Sequence, residues 1–262
     1  MIRALKTAAT GMRAQQLNVD NIANNLANIN TTGFKRSKVE FQDLFYQTAK
    51  VPGRIAGQGI EAPSALEIGY GAAPVATQKI FSEGEILPTN NPLDIAINGD
   101  GFFRITLADG SYAYTRDGAF KLSGDGRIVN TDGEPMDPEI SIPEGSTGIV
   151  IARDGTVSVT IGNEIDPQEV GTLEIVRFIN PAGLKAIGRN LLVETPASGN
   201  PIPGTAGLDG YGEIYQGYLE TSNVEIVEEM VNMIVAQRAY EINSKAIKTS
   251  DEMLAQVNNL GR

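Results

Sequence analysis

Apolar residues recur every three or four positions along the last forty residues of the chain, which is the spacing of one face of an amphipathic helix. This apolar stripe comprises Val227, Val231, Ile234, Val235, Ile242, Ala246, Met253, Val257 and Leu260. Ser222 and Glu225 fit a capping box at its start, and further glutamates fill the first turns, where the helix dipole favours negative charge. The pattern therefore predicts one long helix over residues 223–262.

A second helix is predicted within residues 1–35. Its apolar positions have heptad-like spacing and are Ile2, Leu5, Ala9, Met12, Val19, Ala23, Leu26 and Ile29. A polar stripe of amides, which can specify register at a cost in stability, runs beside them and comprises Asn21, Asn24, Asn25 and Asn28. A solvated, frayed helix end is the alternative interpretation. Thr31, Thr32 and Gly33 are expected to end the helix, with Gly33 in a left-handed conformation.

Because the apolar stripe of each helix has to be buried against another surface, we expect the terminal helices to pair with each other, with helices of other copies, or both. Their charges are opposite, since Arg3, Lys6 and Arg13 make the first helix basic, and the acidic residues at the start of the last are Glu220, Glu225, Glu228 and Glu229. An ordinary helical hairpin that closes one domain is the alternative. The predicted contact residues are Leu5, Met12, Val19, Asn24, Asn25, Leu26, Asn28, Val227, Val231, Ile234, Ile242, Met253 and Leu260.

Between the helices the pattern changes to strand-like alternation. We expect an extended arm and linker over residues 36–92, a β domain over 93–205 and a return linker over 206–222. Pairs that are typical of type I′ hairpin turns separate the strands of the β domain, at Asp100-Gly101, Asp109-Gly110, Asp117-Gly118, Asp125-Gly126 and Asp132-Gly133. The even spacing predicts a meander or partly closed barrel. The fold class is therefore α+β, with long terminal helices pairing as a coiled-coil-like core and an inserted, mostly antiparallel β domain.

Composition restricts the chemistry of this 262-residue chain, which has neither cysteine nor histidine. Thiol nucleophiles, imidazole bases and the commonest zinc ligands are thereby excluded. The net charge of −11 argues against nucleic acid or an anionic membrane as the partner. No apolar run is long enough to span a membrane, and the first residues are too polar for a secretory signal. We expect a cytoplasmic protein, or one exported without a cleaved signal peptide.

No catalytic, cofactor or metal site is predicted. Segments 98–100 and 130–134 place oxygen atoms at alternate positions, as calcium loops do, but neither continues into the EF-hand pattern, and turn aspartates explain both. Gly57, Gly59 and Ala62 superficially match a dinucleotide fingerprint, but no strand precedes them and Pro63 follows. A carboxylate pair for glycoside hydrolysis stays open in principle, although the 6% aromatic content disfavours a sugar cleft.

Three blocks in the same order resemble the rod and hook protein family of the bacterial flagellum. They are residues 21–36 (NIANNLANINTTGFKR), residues 93–103 (LDIAINGDGFF) with 114–120 (YTRDGAF), and residues 227–241 (VEEMVNMIVAQRAYE). The resemblance covers essentially the whole chain. Within the family the chain looks most like the members that build the distal rod, and residues 46–69 resemble the stretch that distinguishes the distal rod from the hook.

The resemblance implies a structural subunit that polymerises into a straight, stiff helical tube and transmits motor torque to the hook. It implies core helices inside, the β domain outside and the 46–69 stretch between neighbouring subunits. It also implies type III export into the basal body, where the rod crosses the periplasmic space, with proximal rod proteins, the hook protein and the ring bushing as partners. Another axial protein of the family, proximal rod or hook, is the nearest alternative. A monomeric secreted β-domain binding module is an alternative from another class.

Overall fold

A computed structural model describes residues 2–50, 65–162 and 166–260, except for the side chain of residue 260. The chain divides into two compact units. The helical unit comprises residues 1–26, 37–78 and 225–262, and the β unit comprises residues 27–36 and 79–224. The dinucleotide-like match at residues 57–62 and the middle of the 46–69 stretch lie outside the described residues.

The helical unit contains both terminal helices, α1 (Ile2–Ala27) and α2 (Ile226–Leu260). The two helices pack together, which confirms the predicted pairing. The strands of this unit are β1 (Ser37–Asp43), β2 (Tyr46–Lys50), β3 (Leu66–Gly69) and β4 (Ala72–Lys79). Strand β1 pairs with β4, and β2 pairs with β3 in antiparallel register from Tyr46 opposite Gly69. The first and last residues of the 46–69 stretch therefore lie opposite each other on the paired strands β2 and β3.

Helix α1 ends earlier than predicted, at Ala27. Asparagine favours caps and turns over helix interiors, and turns follow, including one closed by Phe34 N–H to the Thr31 carbonyl at 3.3 Å. Gly33 has a φ of 65°, which confirms the predicted left-handed conformation. Its position at the helix end is wrong, because it lies in the β unit, where a Cβ would approach the Asp117 nitrogen to 2.5 Å.

The predicted capping box at the start of α2 is also wrong. Ser222 Oγ accepts the N–H of Val224 at 3.3 Å, and Ser222 lies four residues before the helix starts. The helix starts at Ile226, and the N–H of Glu229 donates to the carbonyl of Glu225 at 3.0 Å. Glu225 therefore occupies the cap position, and Ser222 belongs to the preceding segment.

The β unit is built from short strands. They are β5 (Ile86–Pro88), β6 (Ile95–Asn98), β7 (Phe102–Thr106), β8 (Tyr112–Thr115), β9 (Lys121–Leu122), β10 (Ile128–Val129), β11 (Met136–Asp137), β12 (Ser146–Ile151), β13 (Thr156–Ile161), β14 (Gln168–Thr172), β15 (Glu174–Arg177), β16 (Lys185–Gly188), β17 (Leu191–Val193), β18 (Ile202–Thr205), β19 (Glu213–Gln216) and β20 (Tyr218–Glu220). Their pairings are antiparallel, as predicted.

The largest sheet has the order β16-β17-β8-β7-β15-β18, with β11 also paired to β7. Of the two predicted arrangements, a meander or a partly closed barrel, the simple meander is wrong, because β15 and β17, from late in the chain, flank the β7–β8 hairpin. Neighbouring residues of each strand point to opposite faces, and both faces are covered. Phe103 and Ile175 belong to the main core, whereas Phe102 and Val176 belong to a smaller aromatic cluster.

Three Asp-Gly pairs lie at hairpin tips, but not in type I′ turns. In the first, the N–H of Leu107 donates to the Ser111 carbonyl at 2.8 Å, which leaves a three-residue loop. Only the glycines are left-handed, with φ angles of 81°, 77° and 86° at Gly110, Gly126 and Gly133. A three-residue loop that ends in a left-handed glycine needs one positive φ rather than two, so the predicted turn type is wrong.

Gly110 and Gly126 make a matched pair for testing this loop. Both have a positive φ, but a Cβ on Gly110 meets nothing within 4 Å, whereas one on Gly126 would lie 2.4 Å from the Ile142 carbonyl oxygen. We expect Gly110→Ala to lower the free energy of unfolding by about 1–2 kcal/mol, the cost of the left-handed backbone. Gly126→Ala should cost clearly more in urea unfolding, and equal losses would contradict the packing described here.

Candidate assembly interface

Helices α1 and α2 run antiparallel. A Cβ added to Gly11 would lie 3.0 Å from Nδ2 of Asn243, so the backbone of α1 approaches α2 closely at this point. Further along, the helices border a groove of about 400 Å³ lined by Gln16, Val19, Gln237, Tyr240 and Glu241. Residue numbers rise along α1 while those of the facing α2 residues fall.

The inner face of α2 consists mainly of small or polar residues. Its buried and half-buried positions recur at intervals of three and four, and include Glu229, Met233, Ala236, Asn243, Ile247, Ser250 and Leu254. Asn243, which faces Gly11, lies in the middle of this series. Packing within the chain therefore uses a face of α2 that hydrophobic periodicity alone does not mark.

The apolar stripe of α2 lies on the other side of the helix. At roughly 100° per residue, its mean direction lies roughly 130° from that of the inner face. Its members are between 48% and 71% exposed and include Val227, Val231, Ile234, Val235, Ile242, Met253 and Val257. A contiguous exposed apolar patch marks an interaction site on a soluble protein. The helices pair as expected, but α1 does not cover this stripe.

The predicted contact residues on α1 are placed differently. Four of them recur every seven residues and are half-buried, namely Leu5, Met12, Val19 and Leu26. Asn24 is exposed and Asn28 is half-buried. The side chain of Leu260 lies outside the described residues. Contact of these residues with another copy stays a prediction.

Two amides of the polar stripe bind the start of β1. Nδ2 of Asn21 and of Asn25 donate to the Ser37 carbonyl at 2.6 and 2.9 Å, and Asn25 Oδ1 accepts the N–H of Ser37 at 3.0 Å. Asn25 is 1% exposed. These two residues are therefore neither frayed nor solvated, because they satisfy the backbone of the strand that lies beside α1.

A buried ion cluster joins the segment after α1 to the segment before α2 within the β unit. Lys35 Nζ donates to Glu220 Oε1 at 2.5 Å, and Arg116 Nε lies 3.4 Å from Glu220 Oε2. All three residues are at most 5% exposed. Burial lowers the pKa of Lys35, while the charge of Glu220 acts in the opposite direction. We call Lys35, Arg116 and Glu220 the ion clasp.

Backbone and amide hydrogen bonds surround the ion clasp. The N–H of Gly33 donates to the Glu220 carbonyl at 2.8 Å, and the N–H of Arg36 donates to Asn223 Oδ1 at 2.7 Å. The sequence pattern predicts a helix end at Thr31, Thr32 and Gly33, and it does not predict this role of the residues that follow. The grouping of Glu220 with the acidic start of the last helix is wrong, because Glu220 ends strand β20 and its side chain is buried in the ion clasp.

The candidate calcium loops can be checked against the described part of the chain. Among these residues, no three Asp, Glu, His or Cys side chains are grouped so that they could hold a metal ion. Oδ1 of Asn130 accepts the N–H groups of Asp132 and Glu134 at 2.9 and 2.8 Å, so it serves its own turn. No helix in the described ranges has the length and apolar character needed to cross a membrane.

Comparison with known proteins decides the family. Three protein-family models match in order: flagella basal body rod protein over residues 5–35, flagellar hook protein FlgE/F/G D1 domain over 96–159, and flagellar basal body rod FlgEFG protein C-terminal over 215–260. The flagellar basal-body rod protein FlgG of Borreliella burgdorferi is 54% identical and covers 100% of both chains. That of Buchnera aphidicola is 51% identical over 99% of this chain and 100% of its own. The chain belongs to the FlgG family of flagellar basal-body rod proteins.

Membership of the FlgG family confirms the resemblance read from the sequence. FlgG of Bacillus subtilis is also similar, at 40% identity over 100% of both chains. The crystal structure of the Helicobacter pylori hook protein FlgE2 matches with 16% identity and a TM-score of 0.24, over 71% of this chain and 43% of that one, and adds nothing to the assignment. Each of the three matched segments supplies one member of the ion clasp: Lys35, Arg116 and Glu220.

We expect two single substitutions of glutamate by alanine to lower the free energy of unfolding by unequal amounts. Glu220→Ala leaves Lys35 and Arg116 buried without their carboxylate, and we expect the free energy of unfolding to fall by about 3–5 kcal/mol. The matched control is Glu213→Ala, which removes a partly exposed ion pair with Arg153 at 3.6 Å and should cost about 0–1 kcal/mol. Urea unfolding measures both, and similar losses would show that the ion clasp does not stabilise the β unit.

Proposed function

We propose that this chain is a structural subunit of the flagellar distal rod rather than an enzyme. Its terminal helices mediate polymerisation into a straight, stiff helical tube that transmits motor torque to the hook. The observation that carries the proposal is the exposed apolar stripe on α2, which points away from the face that packs within the chain. The FlgG relatives are named basal-body rod proteins and match this chain over their full length, which supports the same role.

The stripe is large enough to contribute to association but small enough that one such surface gives only a weak contact. Completing the burial of one half-exposed aliphatic side chain contributes roughly 1 kcal/mol, so seven of them contribute about 7 kcal/mol. Association costs about 4–15 kcal/mol in lost freedom. A stripe that packs on a less apolar surface of a neighbour is therefore a weak contact by itself, and a helical lattice, in which each copy has several neighbours, combines many weak contacts into a rigid shaft.

The hairpin of β2 and β3 supports the distal rod over the proximal rod or the hook. An isolated two-stranded hairpin is marginally stable in water. The apolar side chains exposed on and beside its described strands are Phe41, Phe45, Tyr46, Leu66, Ile68 and Tyr70. Cover from a neighbouring subunit, as the family resemblance implies for this stretch, would stiffen the tube by connecting adjacent copies.

The proposed partners follow from the place of a distal rod in the basal body. Copies of the chain form the tube in the periplasmic space, proximal rod proteins and the hook protein continue it at its two ends, and the ring bushing surrounds it. The flagellar export apparatus delivers the subunit without a cleaved signal peptide. A monomeric binding module is disfavoured, because it would leave the α2 stripe permanently in water.

Ile234→Ser combined with Ile242→Ser tests the stripe. These side chains are 56% and 68% exposed in the single chain, so we expect circular dichroism of the dilute protein to change little. Electron microscopy of concentrated protein, seeded with sonicated filaments, should show straight filaments for the unmodified chain and none for the variant.

The matched control replaces two exposed isoleucines of the β unit, Ile179→Ser with Ile187→Ser. We expect this control to assemble like the unmodified chain. Filaments of the stripe variant at the same protein concentration would contradict the proposed role of α2.

A further inference from the structure

A cleft in the β unit brings two guanidinium groups together with aromatic rings. Its volume is about 190 Å³. The residues that line it include Phe81, Asp100, Phe102, Arg116, Arg177 and Phe178. All of these residues belong to the β unit, so the cleft is separate from the apolar stripe of α2. Because a single buried water molecule needs only about 10–15 Å³, the cleft has room for a small organic molecule.

The first guanidinium group, that of Arg116, is buried with a donor to spare. Arg116 is 5% exposed, and its Nη2 donates to the Gly99 carbonyl at 2.8 Å. Its Nε lies 3.4 Å from Glu220 Oε2, but the same carboxylate also accepts from Lys35. Nη1 is buried and meets no acceptor among the described residues. A buried charged donor without an acceptor is unfavourable, so a ligand that supplies an acceptor is bound favourably.

The second guanidinium group, that of Arg177, is more exposed and already has acceptors. Its side chain is 36% exposed, and its Nη1 donates to the Asp209 carbonyl at 3.2 Å. Its Nη2 lies 3.7 Å from Oδ2 of Asp100, whose side chain is 76% exposed. The carboxylate of Asp100 therefore faces Arg177 and remains largely in water, and the unsatisfied donor of the cleft is Nη1 of Arg116.

Three phenylalanine rings give the cleft an apolar lining. The Phe102 ring contacts those of Phe81 and Phe178 edge to face, with centroids 5.4 and 5.9 Å apart. The guanidinium carbon of Arg116 lies 5.8 Å from the centre of the Phe102 ring. Guanidinium groups match the planar geometry of a carboxylate, and aromatic rings pack well against a further ring. This combination is typical of a site for a small anion that has a flat apolar body.

We propose that this cleft binds a small aromatic monocarboxylate. The carboxylate accepts a hydrogen bond from Nη1 of Arg116, and the ring packs among Phe81, Phe102 and Phe178. The ligand adds to the proposed structural role, because it completes the hydrogen bonding of the ion clasp from outside the chain. A ligand that binds only the folded state stabilises that state. Inorganic phosphate also accepts from guanidinium groups, but it has no apolar body for the phenylalanine rings to contact.

Benzoate is the probe for this site, and benzamide, which keeps the ring but carries no charge, is its matched control. We expect a dissociation constant on the order of 1 mM for benzoate, as is ordinary for so small a ligand, in isothermal titration calorimetry of the full chain. Benzamide should bind about tenfold more weakly or not at all, since a hydrogen bond to a charged group is lost. Sodium chloride at the same ionic strength should give no binding heat.

Two variants locate the binding within this cleft. Arg116→Lys keeps the positive charge but removes Nη1, and we expect benzoate to bind about tenfold more weakly or worse. Asp100→Asn removes the carboxylate that competes with the ligand, and it should tighten binding about two- to fivefold, which a folding defect cannot imitate. The control Arg153→Lys changes an exposed arginine that pairs with Glu213 elsewhere in the β unit, and it should bind like the unmodified chain.

Equal binding of benzoate and benzamide, or no benzoate binding at about ten times the expected dissociation constant, would overturn the proposal. Arg116→Lys protein that binds benzoate as tightly as the Arg153→Lys control would overturn it as well. Where Arg116→Lys does not fold, Asp100→Asn decides, because unchanged or weaker binding by that variant contradicts a site beside Asp100. These outcomes leave the structural role untouched, since filament formation tests that role separately.

Discussion

A helix packed against a single partner helix buries only one of its sides, and in α2 this side is the less apolar one. The residues that face α1 are mainly small or polar, such as Asn243 opposite Gly11, while many of the larger aliphatic residues, such as Ile234 and Ile242, remain exposed to water. Burial of apolar surface is the main favourable term in association. The single chain is therefore an incomplete structure, whose most favourable burial is available only in an assembly.

The β unit depends on segments from both ends of the chain. Three charged groups are buried in the ion clasp, and burial of a charge is costly unless its partners are in place. Lys35 follows α1, Glu220 precedes α2, and Arg116 lies between them in the sequence. The compact unit thus extends beyond the β domain predicted at residues 93–205, whose boundaries stay a prediction. Correct closure requires residues 185 positions apart to meet.

Periodicity along the sequence predicted the elements well and their surroundings poorly. Recurring aliphatic residues such as Val231 are sufficient to predict α2, because helix formation depends on local spacing. The α2 residues that pack on α1 could not be predicted in this way, since Ala236 and Asn243 carry no hydrophobic signal. The roles of Asn25 and Ser222 were missed for a related reason. Short polar side chains bind whichever backbone group tertiary structure brings near, so local motifs overestimate capping.

The most direct test of the central claim is the reactivity of one thiol in the monomer and in the filament. The chain has no cysteine, so Val235→Cys places a single thiol on the α2 stripe, and Val150→Cys places one at a comparably exposed valine of the β unit. Reaction with a maleimide depends on access to the thiolate. We predict that assembly slows labelling at residue 235 by about tenfold or more, as expected for a thiol that becomes inaccessible, and slows it much less at residue 150. Equal labelling of residue 235 in monomers and filaments would show that the stripe stays in water, and would contradict assembly through this face.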